Sequence, residues 1–230
     1  MAGKIESFHS KNEKGDVSGY VVGDAGSKKG LIVIHEWWGL NEQIKAMGEE
    51  MAKQANLLVL VIDMYRGQLA DDRETAGHLM QGLDWKGAVL DISAGAQFLK
   101  SKGCAKIGVT GFCMGGALSF ASACLCADVI SAAAPFYGIP SADLCDLTTI
   151  KTPVQCHFGS QDEVVGFSSK KDYDPLCKKL QAAGVPLELH EYEAGHAFCN
   201  PLNKIGPNYK PDLAELALGR MYDFMNKHLA

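Results

Sequence analysis

One cysteine in this chain sits where residue type and spacing could do chemistry. Gly111-Phe112-Cys113-Met114-Gly115-Gly116 follows the apolar, β-branched run KIGVT and precedes the apolar segment ALSFASACL. That order of strand, tight turn and helix is the setting in which a nucleophile is held on a sharp elbow. Glycines at 111 and 115 fit for a steric reason: the strained turn would drive side chains there into the neighbouring strand and helix. The unpaired N–H groups and dipole at the start of a helix favour the thiolate form of a cysteine placed there. A phosphate-binding turn is the competing reading, but the Lys and Ser/Thr of a P-loop and the glycine spacing of a dinucleotide fingerprint are missing.

A nucleophilic thiol needs a base, and the base needs an orienting acid. Asp162 lies in GSQDEVV after the apolar run PVQCHF, and His196 lies in EAGHAF after LELHEY. Nucleophile, acid and histidine therefore occur in the chain order expected behind such an elbow. Each follows the C-terminal end of a strand, where open α/β sheets gather their catalytic groups. Alone, Asp162 and His196 are ordinary turn residues, and the ordered set of three is the specific signal. His157 and His190, inside apolar runs, read as sheet histidines, and His9 and His228 as terminal ones. The other seven cysteines (104, 124, 126, 145, 156, 177 and 199) are scattered through apolar segments and read as reduced thiols. No CxxC pair with zinc-ligand spacing occurs, so no metal site is expected.

Six apolar runs would supply the scaffold, at 31–35, 57–64, 106–112, 131–138, 153–159 and 187–192. Helical spacing fills the gaps at 43–55, 72–81, 86–102, 115–127, 168–183 and 212–228. This alternation predicts an α/β protein with a mostly parallel central sheet and crossover helices. Continuous apolarity at 31–34 and 57–62 suits strands covered on both faces. No repeat or linker divides the chain, so residues 1–230 are expected to form a single domain, with 201–212 as one long irregular loop. A formal net charge of −5 and 21% charged residues give no basic footprint for nucleic acid. The N-terminal MAGKIESFHSKNEKGD has no apolar core of signal-peptide type, and no apolar stretch of about 18 residues occurs. A cytoplasmic protein with no membrane partner is expected.

The turns GFCMGG, GSQDEVV and YEAGHAF, with IHEWWGLN at 34–41, closely resemble the dienelactone hydrolase (carboxymethylenebutenolidase) family over roughly residues 17 to 228. The resemblance implies an α/β-hydrolase fold, a three-layer α/β/α sandwich, opening small lactones or carboxylic esters without cofactor. It implies that Glu36 lies beside the thiol and takes up its proton when substrate binds. It also implies an oxyanion hole from the backbone N–H groups of Trp37 and Met114. The family holds an anionic lactone with two arginines. The first matches Arg73, while the second position falls on Asn200, with Lys204 the nearby cation. Losing one arm of such a charge-assisted pair costs about 1.5 to 3 kcal/mol, which points to a larger or less charged ester.

Trp37, Trp38, Tyr65, Tyr137 and Phe198 are candidates to line an apolar substrate pocket, although core packing is an equal reading for any one of them. Arg66 is an alternative carboxylate binder. The expected partner is a small-molecule ester or lactone, and the chain a monomer or homodimer. Two rivals use the same fold: a thiol-based redox or acyl-transfer protein, and a non-enzymatic interaction module. Multiple turnover separates a hydrolase from both.

Overall fold

The computed structural model describes residues 3–202 and 208–230. Six parallel strands occupy the apolar runs: β3 (Lys29–Ile34), β4 (Leu58–Ile62), β5 (Lys106–Phe112), β6 (Ala132–Phe136), β7 (Val154–Gly159) and β8 (Leu187–Tyr192). Two further strands, β1 (Lys4–Phe8) and β2 (Val17–Gly23), were not expected from the sequence and join antiparallel at one edge. The resulting sheet has the order β1-β2-β4-β3-β5-β6-β7-β8. Leu31–Ile34 and Leu58–Ile62 are buried throughout, which explains their uninterrupted apolarity. The edge strand β1 is mostly exposed and carries Lys4 and Glu6, charges that discourage pairing with another chain.

The helices fall close to their expected positions. They are α1 (Glu42–Ala55), α2 (Arg73–Gln81), α3 (Trp85–Ser101), α4 (Met114–Leu125), α5 (Lys170–Ala182) and α6 (Pro211–Leu229). Asn41 caps α1 by accepting from the Ile44 N–H, and Asp72 caps α2 by accepting from the Thr75 N–H. α1 and α6 pack together on one face of the sheet, while α3 and α4 pack together on the other, with α5 against β7 and β8. This is the three-layer α/β/α arrangement. α4 is buried almost all round, from Met114 to Ala123, as suits a helix that carries no solvent face. Pro211 opens α6 at a position where its missing N–H costs nothing. Of the expected irregular loop, residues 203–207, Lys204 among them, lie outside the described residues.

The register brings the site together. Ile34 pairs with Gly111, Phe112 with Phe136, Phe136 with His157, and Gly159 with Tyr192. The turns that follow β3, β5, β6, β7 and β8 therefore leave the sheet along one edge. Among the described residues no helix is long and apolar enough to cross a membrane.

Candidate active site

Cys113 caps the N-terminus of α4 with φ 54° and ψ −114°, a backbone conformation that a residue with a Cβ rarely adopts. The strain is held by its surroundings. The Cys113 N–H donates to the Phe136 carbonyl (3.1 Å), and its carbonyl accepts from the Ala117 N–H (3.0 Å). The glycines are needed for close approach: a Cβ on Gly111 would collide with the Gly115 carbonyl, one on Gly115 with the Ile34 carbonyl, and one on Gly138 with the Cys113 carbonyl. Two other residues at the site also have positive φ, Tyr137 (37°) after β6 and Ala197 (61°) beside His196. Strained backbone thus collects in the turns that follow β5, β6 and β8.

His196 and Asp162 meet as expected. Nδ1 of His196 lies 2.8 Å from Asp162 Oδ2, with both residues buried. Asp162 is fixed in turn by accepting the Val164 N–H at its other oxygen (2.9 Å). The sequence reading missed a third partner: the fully buried Ser168 places its hydroxyl 3.0 Å from the same nitrogen. Burial opposes a charge on His196, yet the Cys113 sulfur and the Asp162 carboxylate outweigh it and push its pKa up to about 10. The ring is thereby set to carry a proton beside the thiol.

Glu36 is buried behind the site, with its pKa raised by burial and drawn back partly by its hydrogen bonds. Tyr137 Oη donates to Oε1 (3.1 Å) and Asn200 Nδ2 donates to Oε2. Asn200, at the family's second arginine position, is thus engaged with Glu36. His35 was also missed. Its Nε2 accepts from the Met64 N–H (3.1 Å), so Nδ1 carries the hydrogen and donates to the Glu36 carbonyl. Burial keeps the ring neutral, consistent with that tautomer. His35 therefore pins the Glu36–Trp37 segment to the end of β4. Among the described residues, neither the Trp37 nor the Met114 backbone N–H donates to another protein group.

The remaining candidates are placed as follows. Tyr65 is buried, donates to Met114 Sδ (3.1 Å) and packs against His35. Tyr137 meets the His196 ring edge-on at 5.3 Å, and Phe198 is fully buried between Tyr137 and Tyr192. Tyr137 thus buttresses the imidazole, and Phe198 packs behind Tyr137. Trp38 packs with Ala70 and Ala76, with Trp37 against it. Arg73 is exposed at the first position of α2. Arg66 corrects an expectation: its guanidinium makes two bonds to the buried Asp91 (3.0 and 3.1 Å), which commits it to the fold. Cys199 is buried, and its thiol is pushed well above the usual range by burial and by Glu36, so it is not a reactive neighbour of His196.

A model of the dienelactone hydrolase family matches residues 17–229. The chain is 32% identical over 238 residues to the protein usf of Aquifex pyrophilus, covering 99% of each. It is 28% identical over 210 residues to a carboxymethylenebutenolidase of Pseudomonas putida, covering 85% of this chain and 84% of the other. Among solved structures it is similar to a dienelactone hydrolase-like promiscuous phosphotriesterase from metagenomic libraries, with TM-score 0.80, 19% identity and 99% of each chain covered. At that identity the likeness speaks for the fold, which is that of the α/β-hydrolases.

Proposed function

Since the chain belongs to the dienelactone hydrolase family, we propose that it hydrolyses small lactones or carboxylic esters through a thioester on Cys113. The observation that carries the reading is the 2.8 Å pair of Asp162 and His196 beside a thiol on a strained elbow. The substrate carbonyl oxygen sits between the N–H groups of Trp37 and Met114, which stabilise the negative charge that develops there. The Cys113 thiolate attacks the carbonyl carbon, and the tetrahedral adduct collapses to a thioester as His196 gives its proton to the departing alkoxide. His196, now neutral, takes a proton from water, whose oxygen attacks the thioester and releases the acid. Asp162 holds the imidazole in the tautomer that keeps Nε2 toward the reaction and stabilises the imidazolium.

Glu36 is assigned the uptake of the thiol proton when substrate docks, and returns it to the Cys113 thiolate once the acid has left. Burial supports this by raising its affinity for a proton, and the move requires the carboxylate to leave Tyr137 and Asn200. No cofactor enters the scheme, and a reducing, cytoplasmic setting belongs to the same proposal.

The test is steady-state hydrolysis of dienelactone, simple lactones and p-nitrophenyl acetate by the wild type and by Cys113→Ala. Many turnovers per wild-type chain, abolished in a folded Cys113→Ala protein, support the reading. A single equivalent of product per chain, or turnover that survives the substitution, overturns it.

A further inference from the structure

A cleft of about 560 Å³, of a size suited to a small organic ligand, is lined in part by the residues that precede Ser168 and follow Gly138. Its apolar walls are Met80, Leu83, Trp85, Ile139, Leu144 and Phe167. All six are only partly buried, each with one flank on the core and the other left to the cleft. Two wall segments are continuous with the catalytic groups. Phe167 precedes Ser168, which meets His196 Nδ1, and the Phe167 ring lies 6.3 Å from the His196 ring. Ile139 follows Gly138, which packs on the Cys113 carbonyl, and its N–H donates to the Phe167 carbonyl (3.0 Å). The rim carries Asp84 and Asp143 against Lys86, an acidic balance that repels a carboxylate. Of the candidate carboxylate binders, Arg66 is committed to Asp91, Asn200 donates to Glu36, and Arg73 at the start of α2 is not among the residues that line this cleft.

Resting on the hydrolase reading, we infer that this cleft takes the hydrocarbon portion of the substrate. The preferred substrates are uncharged esters with a medium-length alkyl or aryl group, and compact anionic lactones are poor ones. Each methylene that enters the cleft adds apolar burial worth about two- to fourfold in kcat/KM until the cleft is full.

The test is the series p-nitrophenyl acetate, butyrate, hexanoate and octanoate, together with the p-nitrophenyl monoester of adipic acid, which matches hexanoate in length but ends in a carboxylate. The hexanoate-to-acetate ratio is expected to exceed 10 in the wild type, on the order set by four methylenes, with the adipate monoester well below hexanoate. Met80→Ser and Leu144→Ser are expected to lower that ratio. A readout that needs no variant is competitive inhibition of acetate hydrolysis, for which 1-hexanol is expected to bind more tightly than the hexanoate anion. A flat chain-length profile, or an adipate monoester equal to hexanoate, overturns the inference while Cys113-dependent acetate turnover leaves the hydrolase reading standing. Absence of Cys113-dependent turnover on every ester overturns both.

Discussion

Replacing Asp162 by Ala removes the charged acceptor from His196 Nδ1 and leaves the Ser168 hydroxyl, 3.0 Å away, to hold the ring. Hydrogen bonds to charged groups contribute about 1.5 to 3 kcal/mol net, and neutral ones about 0.5 to 1.5. At 1.36 kcal/mol per tenfold in rate, Asp162→Ala is expected to lower kcat/KM about 13- to 160-fold and Ser168→Ala about 2- to 13-fold. Because each single variant leaves the other acceptor in place, the double variant is expected to lose more than the product of the two. The pH profile gives an independent readout. The carboxylate stabilises the imidazolium, so the wild type loses its acid form only as pH rises through about 10, and removing Asp162 moves that alkaline limb downward. Ser168→Ala, which removes no charge, leaves the limb where it was. The assay is p-nitrophenyl butyrate hydrolysis from pH 6 to 10.5, with Cys113→Ala as the blank for spontaneous hydrolysis. A Ser168→Ala loss larger than that of Asp162→Ala, or an alkaline limb unmoved by Asp162→Ala, would refute the assignment of Asp162 as the orienting acid.

Arg66→Met leaves the buried Asp91 carboxylate with Asn12 as its remaining donor, and is expected to lower unfolding stability by about 3 kcal/mol, recovered largely by Arg66→Met with Asp91→Asn. Urea denaturation reads both; a stable Arg66→Met protein with a raised KM for carboxylate-bearing esters would instead make Arg66 a substrate ligand. Glu36 keeps its proton to a higher pH when folded than when unfolded, so its contribution to stability falls as pH rises above the ordinary carboxylate value of 4.5. Glu36→Gln should remove that slope, and a melting-temperature difference from wild type that does not change with pH contradicts the burial argument. His35 and His157 are held neutral in the fold while the unfolded chain takes up protons near pH 6.5. Stability is then intact above that pH and lost below it, by about 1.4 kcal/mol per pH unit for each ring. Urea midpoints at pH 7 and 5.5 should show a shallower drop in His157→Gln; identical drops count against a buried neutral His157.

β3 to β7 are legible because burial on both faces makes them largely apolar runs, whereas β8, LELHEY at the edge of the sheet, is only partly buried and is marked by its alternation. β1 and β2 escape that signal: KIESF carries two charges in five positions, and VSGYVVG contains two glycines and a serine. They become strands because β4 offers an open edge to pair with, a reason that resides in the sheet and not in the segment. At the site, Cys113, Asp162 and His196 were readable because each sits at a fixed place relative to a strand end. Ser168 was not, since a serine six residues after Asp162 has no marked spacing, and only the fold of that turn brings its hydroxyl to the imidazole. Asn200 was read as a missing arginine, whereas it donates to Glu36. The one signal that could have found His35 was its neighbour Glu36, and adjacency does not disclose that its ring would reach the end of β4.

The bond from Asn200 to Glu36 joins positions 164 residues apart, and the groups that hold the thiol come from β3, β5, β6, β7 and the turn after β8. Closing loops of that length is entropically costly and is slow relative to the formation of any one helix or β-α unit. Enzymatic competence should therefore be among the last properties to return when the denatured chain is diluted into buffer, trailing the recovery of far-ultraviolet circular dichroism. A C-terminal truncation that ends before His196 should leave a nascent sheet with no assembled centre. During synthesis the same order would keep the reactive thiol unpaired with its imidazole until nearly the whole chain has emerged.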